Sequence, residues 1–126
     1  MRLILATLLP LMLGLAGCTL DALPSSPAGE PLTLAALAGR YDRDAAACAA
    51  PASEMRLVIA PDMVSFYESR CRVLSQRPAG AGVEAVLACT GEGSGWTETM
   101  TFTPTGSGGV AVLARDLRTT RMRCGG

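Results

Sequence analysis

The chain has 126 residues, with 11 arginines against 11 acidic side chains and neither lysine nor histidine. Balanced charge points away from nucleic acid as a partner, and the missing histidine removes the commonest general base and the commonest metal ligand. Five cysteines in so short a chain point instead to staples in an oxidising compartment, where a small core needs them.

Met1 and Arg2 are followed by the uncharged run "LILATLLPLMLGLAG", a positive start with an apolar middle and small residues before Cys18. This is the pattern of a secretion signal. A membrane-spanning helix needs about 20 apolar residues, whereas this run ends at Gly17 and contains Pro10. Leu15, Ala16, Gly17 and Cys18 resemble the lipobox of bacterial lipoproteins. That resemblance implies removal of residues 1–17, lipid attachment to Cys18 and a membrane as partner. Thr19, rather than an aspartate, after the cysteine implies the outer membrane, with the domain facing the periplasm. Each buried acyl methylene contributes about 0.8 kcal/mol, so two or three chains hold firmly where one would not.

Residues 18–31 then read as the lipidated cysteine and a flexible tether, because "TLDALPSSPAGEP" is rich in Pro, Ser, Ala and Gly without a period. Such a tether spans about 20 Å. Residues 32–126 form one domain. It opens on Thr33 and "LAALAG", which predict a short helical turn capped by Thr33 and stopped by Gly39.

From residue 54 the apolar residues alternate, and turn residues interrupt them at short intervals. Strands are predicted at about 39–43, 54–60, 63–68, 71–77, 83–89, 96–103, 109–115 and 119–124. Each hairpin can be tested by asking whether its turn sets apolar residues opposite one another. A Pro61–Asp62 loop pairs Ile59 with Val64; a Ser69–Arg70 loop pairs Phe66 with Val73. A turn centred on Gly80 pairs Val73 with Leu87 and Cys71 with Cys89. Further along, Cys89 meets Trp96, Ala85 meets Met100, Met100 meets Val112 and Phe102 meets Val110. The last hairpin sets Val112 against Met122 and Val110 against Cys124. The predicted fold is therefore all-β, a small antiparallel up-and-down meander of seven to eight strands closing into a barrel or flattened barrel. Closure brings Tyr41 beside the last strand and Cys48 within reach of Cys124, leaving Cys71 to bridge to Cys89.

Three groups of side chains could carry function. Metal binding by the cysteines is disfavoured, since no pair has zinc-site spacing; no cofactor and no catalytic residue are expected. Glu68 and Glu98 fall on the mostly apolar face near Trp96, as a rim site that two carboxylates and an indole could make hydrolytic or ligand-binding. Arg115, Arg118, Arg121 and Arg123 cluster near the end of the chain, with Arg121 and Arg123 alternating outward as a candidate partner surface. Tyr41, Phe66, Trp96 and Phe102 are expected to fill the interior rather than line a cavity.

The stretch "LAGRYDRDAAAC" through "RMRC" resembles the small envelope β-barrels that inhibit proteases, in its short aromatic first strand and its stapling disulfide. A rigid, stapled, tethered domain without a recognisable catalytic constellation is read as a non-enzymatic binding module for another envelope macromolecule, with inhibition of a protease or a lysozyme as the expectation. No inhibitory loop carries over residue by residue. The alternatives are a barrel that binds a small ligand or lipid, and a hydrolase using Glu68 and Glu98.

Overall fold

The computed structural model describes residues 29–125; the lipobox, Cys18 and most of the tether lie outside the described residues. Eight antiparallel strands follow one another around a closed barrel. They are β1 (Gly39–Asp42), β2 (Leu57–Ile59), β3 (Met63–Ser65), β4 (Arg70–Ala79), β5 (Gly82–Gly91), β6 (Ser94–Pro104), β7 (Val110–Ala114) and β8 (Leu117–Arg123). Closure runs through Tyr41 opposite Arg123 and Asp42 opposite Met122. Both bridges form as expected from the register, Cys48 to Cys124 and Cys71 to Cys89.

A 3-10 turn, Leu34–Leu37, leads into β1 at one end of the barrel, the near rim. Thr33 has extended backbone but its side chain makes no cap hydrogen bond, contrary to the expected Thr cap. The turn is held by packing instead: Leu34 and Leu37 are buried in the core, and the Leu34 N–H donates to Gln76 Oε1 at 2.9 Å. Gly39 closes up beneath it, where a Cβ would sit 2.8 Å from the Arg123 guanidinium. Tyr41 joins the three segments. Its hydroxyl donates to the Leu37 carbonyl at 2.7 Å and accepts from Arg123 Nη1 at 3.0 Å.

A helix the sequence reading did not foresee, α1 (Ala45–Ala49), follows β1. Asp44 caps it, its carboxylate accepting from the Ala47 N–H at 2.8 Å. Such a helix has too few residues to persist alone; the Cys48–Cys124 bridge fixes it beside the first and last strands.

Register decides which face each side chain takes. Ile59 pairs with Val64 around Pro61–Asp62, and Cys71 with Cys89, as expected. The latter pairing needs a correction within β4. The tight turn at Gly80–Ala81 pairs Ala79 with Gly82, and carried along unbroken it would set Cys71 opposite Thr90. A bulge between Val73 and Ser75 absorbs one residue and restores the cysteine pair. Beyond the bulge the faces exchange, so that Gln76 aligns with buried Ala85 and reaches the 3-10 turn.

Three other registers depart from expectation. The β3–β4 turn lies two residues earlier, at Tyr67–Glu68, with the Phe66 N–H donating to the Ser69 carbonyl; Val64 rather than Phe66 therefore enters the β4 pairing, opposite Cys71. Phe102 meets Val112 and Met100 meets Ala114, a shift of two that preserves the inward face. The last hairpin turns tightly at Arg115–Asp116, with Arg115 at φ 55°, and pairs Val110 with Arg121. That shift is odd, so it exchanges the two faces of β8: Arg121 is buried and Met122 exposed.

The interior is packed by buried apolar side chains from β1 through β7 and from the 3-10 turn, with Tyr41 and Phe102 the largest. Phe66 is partly buried, while Trp96 is 38% exposed and so is not the interior aromatic expected from its register. From β8 the buried residue is a charge. Arg121 Nε donates to the Met55 carbonyl at 2.6 Å and Nη1 to Thr119 Oγ1 at 2.8 Å. Burial pulls its pKa down, and the nearby Asp42 charge partly opposes that pull; an arginine keeps its proton regardless.

Candidate functional site

The end opposite the near rim, the far rim, is built from three tight turns and one long loop. The turns are Tyr67–Glu68, Glu92–Gly93 and Arg115–Asp116; the loop, residues 43–56, contains α1. Glu92 and Gly93 both have positive φ, 50° and 77°, the conformation a two-residue hairpin requires.

The first two turns pack together where glycine removes a side chain. A Cβ on Gly91 would lie 2.5 Å from the Glu68 carbonyl oxygen and 3.2 Å from Ser69 Cβ. Gly91→Ala should therefore displace the β3–β4 turn and destabilise the domain by about 1–3 kcal/mol. Chemical denaturation of the variant, with amide shift changes confined to residues near Glu68 and Gly91, is the check.

Between these turns lies an open concavity of about 710 Å³, lined by Phe66, Tyr67, Arg70, Thr90 and the glycines of the β5–β6 hairpin among others. Its lining mixes aromatic, charged and hydroxyl side chains with bare glycine backbone. Tyr67 is 52% exposed there. It escaped sequence reasoning because the run "VSFYES" alternates well enough to be read as strand to residue 68 and so to hide the turn.

Trp96 is the common neighbour of the two carboxylates expected at this rim. Glu68 stands in the exposed turn, not on the apolar face as expected, because the turn falls two residues early. It lines a small depression together with Trp96. Glu98 meets the same indole: its carboxylate accepts from Trp96 Nε1 at 3.3 Å and faces Arg115 Nε at 3.6 Å, with the Glu98 side chain 16% exposed. A carboxylate with both neighbours so placed acts as a brace between β6 and the last turn.

The arginine cluster is likewise dispersed. Arg118 is exposed, and Arg115 reaches toward Glu98 with its side chain 84% exposed. Arg121 points inward, not outward, by the odd register shift of β8. Arg123 is pinned at the near rim, where Nη2 donates to the Ala38 carbonyl at 2.7 Å and the guanidinium lies 5.5 Å from the Tyr41 ring centroid. The four do not make one outward stripe.

The strongest polar cluster was not singled out from sequence. Asp42 is fully buried and accepts from Ser53 Oγ at 2.7 Å, the Arg43 N–H at 2.8 Å and Arg56 Nε at 3.2 Å. Arg56 also donates to the Ala47 and Ala50 carbonyls, tying α1 to the loop. Burial raises the Asp42 pKa, but the hydrogen bonds from Ser53 and Arg43 and the Arg56 charge outweigh it, leaving the carboxyl below its ordinary value. Among the described residues no group of His, Cys, Asp and Glu is placed to hold a metal ion.

Fold and site together define a doubly bridged, eight-stranded up-and-down barrel with a packed interior and an aromatic, open far rim. Comparison of the chain with protein-family models, curated proteins and solved structures finds no match.

Proposed function

We propose that the protein is a lipid-anchored envelope lipoprotein, held through Cys18 in the outer membrane, whose barrel is a non-enzymatic binding module for another envelope macromolecule. The observation that carries this reading is the barrel's polarity. The segment continuous with the tether packs into the near rim, while the open concavity with exposed Tyr67 lies at the far rim. A tethered domain so built presents its far rim away from the lipid. A cluster of buried apolar side chains fills the described interior, which favours a binding surface over an inner chamber.

Anchoring and binding are tested separately. In cells fed an alkyne fatty acid, the wild type should take up label and sediment with membranes, and Cys18→Ala should do neither. A wild type without label would defeat the anchoring half. A photo-crosslinking amino acid at Tyr67 should then give a discrete adduct in intact envelopes, and one at Asp62, at the near rim, should not. Equal adducts from both positions, or none, would defeat the binding half. Titration of proteases and lysozymes with the purified protein asks whether binding is inhibitory; stoichiometric loss of either activity assigns the partner class.

A further inference from the structure

β6 is longer than the strand beside it. Its pairing with β7 begins at Met100, so Ser94 through Thr99 are bonded to β5 on one side and to no strand on the other. Five of the six are exposed, and Glu98 is mostly covered, its side chain 16% exposed. An unpaired edge presents a row of free N–H and C=O groups, a template for a further strand.

Two other strand segments also lack a second partner, and both are guarded. The outer part of β4 carries the bulge at Leu74, Pro78 without an N–H, and Arg77 paired with Glu84 at 2.7 Å. The first residues of β8 carry the cation of Arg118, and the loop held by Arg121 at the Met55 carbonyl comes up against the strand. Ser94–Thr99 has neither proline nor bulge, and its one charge, Glu98, is mostly covered and paired with Arg115; Trp96, Thr97 and Thr99 favour strands.

We propose that the free edge of β6, from Ser94 to Glu98, receives an extended peptide segment of another protein by strand addition. The proposal rests on the binding-module reading and specifies its partner. Main-chain hydrogen bonds supply attachment and alternate side chains supply selectivity. Trp96 and Glu98 share one face of the strand, so the incoming segment needs an apolar or β-branched residue across from the indole and a basic residue two positions away across from the carboxylate. Arg115 of the β7–β8 turn now holds that place, its side chain 84% exposed and its Nε 3.6 Å from Glu98, so the incoming base would take over an existing ion pair.

Other occupants fit less well. Antiparallel pairing of this edge with a second copy would point the two near rims, and hence the two tethers, in opposite directions, away from a shared membrane. The chain's own tether starts from the opposite rim and is broken by Pro24 and Pro27.

Amide hydrogen exchange on the full-length lipidated protein in nanodiscs provides the test. The probe is the peptide acetyl-Thr-Arg-Thr-Val-Thr-amide, and the control is the same peptide N-methylated at alternate backbone nitrogens. In the free protein, alternate amides between Ser94 and Glu98 should exchange rapidly while their neighbours, bonded to β5, are protected. The unmodified peptide should slow the rapid set about tenfold or more; the N-methylated one should not. The assignment is overturned if every amide in the segment is already protected, if both peptides act alike, or if neither acts at millimolar concentration. An envelope adduct from Tyr67 together with an unresponsive edge would overturn the edge assignment alone and leave the binding-module reading standing.

Discussion

Replacing Cys48 and Cys124 together with alanine should lower stability by about 4.5 kcal/mol. The bridge closes a loop of 76 residues, and the chain entropy it removes from the unfolded state scales with that length. The Cys71–Cys89 loop, at 18 residues, contributes about 3 kcal/mol by the same account. Domains of this size have only about 5–15 kcal/mol in total, so losing both bridges would leave little or nothing of the folded state. For an m-value of about 1.5 kcal/mol per molar, the urea midpoint of the C48A/C124A variant should fall by about 3 M. A drop below about 1 M would mean that packing around α1, rather than loop closure, fixes that corner. The second bridge is also a core element, both sulfurs being buried, so its removal adds a packing loss to the entropic one.

Asp42→Ala should cost about 3–5 kcal/mol, the range for removing one partner of a buried ion pair. The substitution strands Arg56, whose side chain is 17% exposed, and frees Ser53 and the Arg43 N–H at once. It also takes away a negative charge that favours the protonated form of buried Arg121. The acid dependence should change with it. Because the folded-state pKa of Asp42 lies below its ordinary value, its charged form contributes stability at pH above about 4, lost as pH falls through the lower folded-state value. Wild-type stability should therefore decline on acidification below about pH 4, and Asp42→Asn should flatten that decline while lowering the plateau. Equal slopes in the two proteins would remove Asp42 from the account of acid sensitivity. Urea titrations between pH 2 and pH 6, about two units either side of the ordinary carboxylate range, give the comparison.

The barrel was legible because its information is local and periodic. Alternation with frequent Gly and Pro marked the seven strands after residue 54, and the cysteine pairs followed once the meander was closed on the first strand. Errors arose where a turn could be placed in more than one way. At "FYESRC" the turn shifted by two residues; an even shift leaves the faces intact but moves Glu68 off the sheet. At "LARDLR" the displacement was odd, and it turned an exposed arginine stripe into one buried arginine with Met122 outside. Gln76 illustrates a subtler limit, since only the bulge at Leu74 turns it inward. The Asp42 cluster was hidden for a different reason. Its partners Ser53 and Arg56 come from an irregular loop without periodicity, and they meet because α1 folds back under a disulfide.

An even number of strands running up and down returns the chain to the rim it came from. Here the first and last strands also lie side by side, with the Cys124 N–H donating to the Arg40 carbonyl at 2.8 Å. The molecule is thus nearly a continuous loop that has been cut once. A short peptide joining the residues before Leu34 to those after Cys124 would close it, and a new cut among the exposed residues Gly106, Ser107 and Gly108 would give a permuted chain with the same neighbours around the ring.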